Sequence, residues 1–275
     1  MSNHRLTQLQ PYPFERLREL HKDWQHHGEL AHIPLSLGEP KHPPPRFVVE
    51  ALANADALTQ QLGMYPATKG NDDLRLAISE WLERRFAISV DPDQQILPVY
   101  GTREALFAVA QALLSGKPGS LVGMPNPFYQ IYEGAALLAG ASPLYIANLE
   151  ENDYRADFAA VTDAQWQAIE MVYVCSPGNP TGQIMSETDM EELITLAHRH
   201  DFTVVSDECY SELYYDDENI PSSLLAVAQR VSQRMGKRPF ERCLSFHSLS
   251  KRSNLPGLRS GFVAGDPELV RQYLS

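Results

Sequence analysis

The strongest constraint in this sequence is a rhythm of short apolar runs and longer helical patterns. Strand-like runs fall at residues 96–100, 120–124, 142–146, 171–175, 202–206, 243–246 and 261–264. Helical periodicity fills several of the gaps, at 101–114, 129–139 and 186–200, the last with Leu193, Ile194 and Ala197 on its apolar side. Thr162-Asp163-Ala164-Gln165 fits a capping box ahead of a short helix. Runs of this kind that alternate with helices form βαβ units, and a parallel sheet is covered on both faces. The pattern predicts an α/β fold, a three-layer α/β/α arrangement on a mainly parallel sheet.

Upstream of the rhythm the elements are less regular. Residues 13–25 read as an amphipathic helix, with Phe14, Leu17, Leu20 and Trp24 near one face. Residues 33–37 read as a short apolar strand ended by Gly38-Glu39-Pro40. After Pro43-Pro44-Pro45 a helix is expected from about Arg46. Asn71 is placed to cap a longer helix to Phe86, with Leu74, Ile78, Trp81 and Leu82 turned inward.

Composition removes several function classes. The 275 residues carry a formal charge of −12, which argues against a nucleic-acid partner. No apolar run approaches the ~20 residues of a membrane span. Residues 1–10 lack an apolar h-region, so no secretory leader is expected. Cys175, Cys209 and Cys243 are odd in number and far apart, which fits a reducing cytoplasm better than a disulfide scaffold. No metal is expected, because the histidines form no ligand-like set and C-x-x-C and H-E-x-x-H are absent. Neither dinucleotide nor P-loop glycine fingerprints occur.

In parallel α/β sheets, ligands sit at the carboxyl ends of the strands. The loops expected there are rich in chemistry. Gly101-Thr102-Arg103 opens a helix whose N–H groups and hydroxyl can hold a phosphate. Tyr129 offers an aromatic face, and Asn179 an amide inside Ser176-Pro177-Gly178-Asn179-Pro180-Thr181-Gly182. Asp207 offers a carboxylate at a strand end, with Tyr210 three residues on. Ser248 and Ser250 flank Lys251, and Arg259 stands in Gly257-Leu258-Arg259-Ser260-Gly261. An amine, a carboxylate, phenolate donors, an aromatic partner and an anion cup together match the needs of pyridoxal 5′-phosphate.

With Tyr65-Pro66-Ala67-Thr68-Lys69-Gly70 and Pro125-Asn126-Pro127-Phe128-Tyr129 added, these motifs run in one order along most of the chain. In that order the chain resembles the class I/II aminotransferases, pyridoxal-phosphate enzymes of fold type I. The resemblance implies that Lys251 is catalytic, bonding the cofactor aldehyde and shuttling a proton. It implies that Asp207 pairs with the pyridinium, that Asn179 and Tyr210 hold the phenolic oxygen, and that Tyr129 stacks on the ring. Gly101, Thr102, the Arg103 backbone, Ser248, Ser250 and Arg259 would cup the phosphate. Tyr65 would reach the phosphate of a neighbouring subunit, implying a homodimer. Gly38 and Asn179 would lie at the substrate.

The segments 9–17 and 35–43 are similar to bacterial succinyldiaminopimelate transaminases within that family. This implies amino exchange between N-succinyl-LL-2,6-diaminopimelate and 2-oxoglutarate, in lysine biosynthesis. The family division implies residues 1–45 as a segment of a small domain, residues 46–275 as the large cofactor domain, and a C-terminal small domain beyond Ser275. The arginine that grips the substrate α-carboxylate would lie in that last part. Arg103, Lys41 and Arg75 are candidate cations near the cleft, and solvated surface charge is the competing reading of each. Another aminotransferase specificity, a β-lyase and a non-enzymatic cofactor-binding module remain as alternatives. Ser248-Leu249-Ser250-Lys251 also fits S-x-x-K of serine acyl-enzymes, but the companion S-D-N and K-T-G motifs are absent.

Overall fold

A computed structural model describes residues 3–25 and 27–275. Seven strands form one sheet: β1 (Ile96–Val99), β2 (Leu121–Asn126), β3 (Ser142–Ala147), β4 (Ile169–Cys175), β5 (Thr203–Asp207), β6 (Cys243–Ser248) and β7 (Gly261–Gly265). Their spatial order is β1-β7-β6-β5-β4-β2-β3. β2, β3, β4, β5 and β6 pair parallel to one another along this order. β7 runs antiparallel to both neighbours, with Ile96 opposite Ala264 and Ser248 opposite Gly261.

Eleven α-helices are seen among the described residues: α1 (Pro13–His21), α2 (Arg46–Leu52), α3 (Ala55–Leu62), α4 (Asp72–Phe86), α5 (Thr102–Leu113), α6 (Ile131–Ala139), α7 (Asp163–Ala168), α8 (Glu187–His200), α9 (Leu224–Arg234), α10 (Leu249–Arg252) and α11 (Pro267–Leu274). None is long and apolar enough to cross a membrane.

The central strands β5 and β6 are buried along their whole length, and β4 is apolar over most of its own because it buries both faces. Along β4, Val172 and Val174 join a core with Met190, Leu193 and Ile194 of α8 and Leu224 and Val227 of α9. The alternate residues Met171 and Tyr173 join the opposite core with Leu106 and Val109 of α5 and Tyr132 and Ala135 of α6. The side-chain period of two thus splits one strand between two cores, and the result is three layers. The capping box forms as the sequence predicts, with Thr162 and Gln165 bonding each other's backbone.

Several expectations do not hold. Residues 33–37 form no strand: Ile33, Leu35 and Leu37 are exposed and pair with no neighbouring strand. An apolar run becomes a strand only where a ladder partner takes its N–H and C=O groups. α1 stops at His21, short of Gln25, and leaves Leu20 exposed. Asn71 stands at the N-cap of α4 but its side chain caps nothing. Leu74 points outward while Ile78 and Leu82 are buried, since only one stripe of α4 meets the core. α9, capped by Ser223, was not anticipated by the periodicity.

Candidate active site

Parallel strands bring their carboxyl ends to one edge, and the chemistry gathers there. The last residue of β5, Asp207, lies in register with Cys175 of β4 and Phe246 of β6. This residue is 4% exposed. Tyr132 Oη donates to Oδ2 at 2.8 Å, and the Cys209 backbone N–H to Oδ1 at 3.2 Å. Burial pushes the carboxyl above its ordinary value, and the Cys209 and Tyr132 donors only partly offset this. No cation pairs with it among the described residues.

β6 delivers Lys251. The strand ends at Ser248, whose hydroxyl caps α10 by accepting from the Ser250 N–H at 3.1 Å. Lys251 is half-buried, and its ammonium donates to the carbonyl of Gly38. Burial lowers its affinity for a proton, against the pull of Cys209 and Glu39. Gly38 also approaches Tyr210, since a Cβ there would lie 4.0 Å from the Tyr210 hydroxyl. The irregular segment before α2 therefore covers this end of the sheet. Asn254 holds it by donating to the carbonyls of His42 and Pro43, both at 3.0 Å.

The start of α5 supplies a third group. Thr102 is buried, with Oγ1 3.0 Å from Cys209 Sγ. Gly101 before it has φ +96°, and a Cβ there would strike the Arg259 guanidinium at 2.2 Å. Both the backbone and the close approach require glycine. Arg259 reaches Ser250 Oγ at 3.4 Å, Pro256 O at 3.1 Å and the Glu104 carboxylate at 3.3 Å. Gly101, Thr102, Ser250 and Arg259, from three separate motifs, thus converge. The Arg103 guanidinium lies 5.4 Å from the ring of Tyr12, so the N-terminal segment closes over this edge too.

Tyr129 and Tyr210 complete the edge. Burial pushes the Tyr129 phenol up to about 12, with Arg103 opposing, and burial likewise pushes Tyr210 up. Asn179 lines a shallow polar recess with Pro125, Pro127, Asn148 and Cys175. Tyr65 does not join the cluster, being fully exposed between α3 and α4. Arg75 is neither a cleft cation nor solvated: its side chain is buried and bonds Gly70 O, Pro92 O, Asp72 and Asp93. Sequence reasoning missed Tyr132, one helical turn beyond Tyr129, and Cys209 inside Asp207-Glu208-Cys209-Tyr210.

These residues fit pyridoxal phosphate. A buried carboxylate that no cation answers suits a cationic ring nitrogen. A hydroxyl-rich helix start beside an arginine suits a phosphate, and a lysine with a weakened hold on its proton suits an aldehyde.

The sequence pattern of the family described as aminotransferase class I and II matches residues 31–275. The LL-diaminopimelate aminotransferase of Nitratidesulfovibrio vulgaris (strain DP4) is 32% identical over 268 residues, covering 97% of this chain and 65% of that protein. The crystal structure of an aminotransferase from Neisseria meningitidis Z2491 superposes with a TM-score of 0.89 at 41% identity, over 99% of this chain and 67% of that one. A probable N-succinyldiaminopimelate aminotransferase from Thermus thermophilus superposes with a TM-score of 0.75 at 29% identity, over 88% and 61%. The chain therefore spans about 65% of the length of the curated relatives it matches. With the family pattern running over most of the chain and the fold in agreement, the chain belongs to the class I and II aminotransferases.

Proposed function

We propose that this chain carries the cofactor site of an aminotransferase acting on a diaminopimelate-type amino donor, with 2-oxoglutarate as acceptor. The observation that carries the reading is Asp207, a buried carboxylate that no cation among the described residues pairs with, on the sheet edge that also presents a half-buried lysine and an anion cup. Enzymes of this family depend on pyridoxal 5′-phosphate. When bound, that group supplies an aldehyde and an electron-accepting ring.

The residues of the chain do the rest. Asp207 holds a proton on the ring nitrogen, because a buried anion favours the cation beside it. Thr102, the N–H groups at the start of α5, Ser248, Ser250 and Arg259 bind the phosphate. Tyr129 packs on the ring, and Asn179 and Tyr210 donate to its phenolic oxygen. Lys251 would hold the cofactor aldehyde, and its Nζ would be the group that accepts and donates a proton, as general base and then acid. Burial lowers its proton affinity, the direction a general base needs. Gly38 lies at the substrate. Residues 46–275 form the cofactor domain and residues 1–45 belong to a second, smaller unit. The active form is a cytoplasmic homodimer in which Tyr65 of one copy reaches the phosphate of the other.

For the donor we infer N-succinyl-LL-2,6-diaminopimelate, supported by the segments 9–17 and 35–43 and by the Thermus neighbour. A second reading, unmodified LL-diaminopimelate, draws support from the names of the curated relatives. Borohydride trapping followed by peptide mapping tests the cofactor site. Label is expected on Lys251 and absent from Lys251→Ala, and label on another lysine would sink the assignment. Turnover of both donors with 2-oxoglutarate tests the substrate. Activity confined to the unsuccinylated donor would decide for the second reading.

A further inference from the structure

We infer that Tyr132 is a positioning residue for Asp207: its hydroxyl fixes one carboxylate oxygen from behind, so that the carboxylate faces the ligand in a single orientation. The inference rests on the reading of Asp207 as the partner of the cofactor ring.

The geometry is that of a built support. Tyr132 is fully buried in α6, and its Oη donates to Asp207 Oδ2 at 2.8 Å. Its ring stacks on Tyr173 of β4, with centroids 4.6 Å apart and planes 9° from parallel. Tyr173 is itself fully buried and held by donating to Leu106 O at 2.8 Å. Tyr129 meets Tyr132 edge-on at 5.8 Å. The phenol therefore cannot swing away without breaking a packed stack, and a rotamer locked by packing holds its partner in place. The opposite oxygen, Oδ1, is steadied by the Cys209 N–H at 3.2 Å. The donors at both oxygens are thus neutral, and the negative charge stays uncompensated for a cation to meet.

The chemistry selects a phenol for this position. Burial raises its own proton affinity well above the ordinary value, so it donates and never competes as an anion. A cationic donor would answer the charge of Asp207 and weaken its attraction for a ring cation. A methyl or phenyl group would leave Oδ2 dry and unpaired.

Tyr132→Phe keeps the ring and removes only the donor. Tyr173→Phe is the matched control, because it removes a hydroxyl from the same stack without touching Asp207. Two measurements are made on the parent chain and both variants. The first is the affinity for pyridoxal phosphate, read from the absorbance of the bound form. The second is the melting temperature of the cofactor-free chain across pH.

The groups facing Asp207 are Tyr129, Tyr132, Cys175, Cys209 and Tyr210, while Glu208 turns to Ser206 and Ser245. A buried carboxyl whose proton affinity is raised loses stability as pH rises from its ordinary value of 3.8 through its folded value. Removing the phenol raises it further. Tyr132→Phe is therefore expected to melt near the parent at low pH, with a deficit that widens as pH rises. It is also expected to bind the cofactor about tenfold more weakly. Tyr173→Phe should follow the parent in affinity and in the pH dependence of melting. A Tyr132→Phe deficit that is constant with pH would overturn the inference, and so would parental cofactor affinity. If the parent itself binds no cofactor, the reading of the site fails, while the melting curves still decide whether Tyr132 and Asp207 are coupled.

Discussion

The buried ionisable residues at the strand ends divide by what surrounds them. His247 is fully buried between Phe262, stacked at 4.9 Å, and the edge of Trp81 at 5.3 Å. Burial holds its proton affinity down to about 3, and Arg252 and Arg85 push the same way. The unfolded chain then binds a proton that the folded chain refuses, and stability falls as pH drops through the ordinary value of 6.5. His247→Phe is expected to flatten the fall in melting temperature between pH 7 and 5, read by calorimetry, and an unchanged slope would refute this account. Asp207 titrates with the opposite sign, so its contribution opposes that of His247 as pH changes. Asp207 and Lys251 were legible in the sequence because each ends or follows a strand in a motif of fixed residue types. Tyr132 was not, because an aromatic inside an apolar helix has the same sequence signature whether it packs or donates. Only the fold brings its hydroxyl to a carboxylate 75 positions away.

At the scale of elements, the junctions carry the information. The Thr162–Gln165 box forms as its spacing implies, and Thr162→Ala should destabilise the chain by about 1 kcal/mol, measured by denaturant melts. Arg75 teaches the reverse lesson. In sequence it is one more charge on a polar helix, yet it ties α4 to the carbonyls of Gly70 at 2.7 Å and Pro92 at 2.8 Å. Arg75→Ala is expected to speed amide exchange around residues 67–70 while α4 stays protected, and uniform protection in the variant would contradict it. The misread run at residues 33–37 has the composition of a strand, but composition cannot say whether a partner ladder is within reach. The β4 run succeeded because both of its faces meet helices, so no periodic alternation was needed.

At the scale of the molecule, apolar exposure is uneven. Phe47, Leu62, Met64 and Tyr65 are each more than 70% exposed, all on the stretch around α2 and α3. The homodimer proposed above gives them a covering surface. Leu62→Glu is expected to shift sedimentation toward the monomer. A charge of −12 on each copy should make association of the parent stronger at higher salt. A parent that sediments as a monomer at all concentrations would count against the pairing.

The reversed strand β7 has a consequence for assembly on the ribosome. β1 pairs only with β7, and its partners Gly261 to Ala264 lie more than 160 positions downstream. Five parallel strands can zip together as they emerge, yet β1 waits, unladdered, until β7 has been made. Closing so long a loop is slow relative to local pairing. The strand that leads into the anion cup can thus be locked only after β7 is made and inserts between β1 and β6.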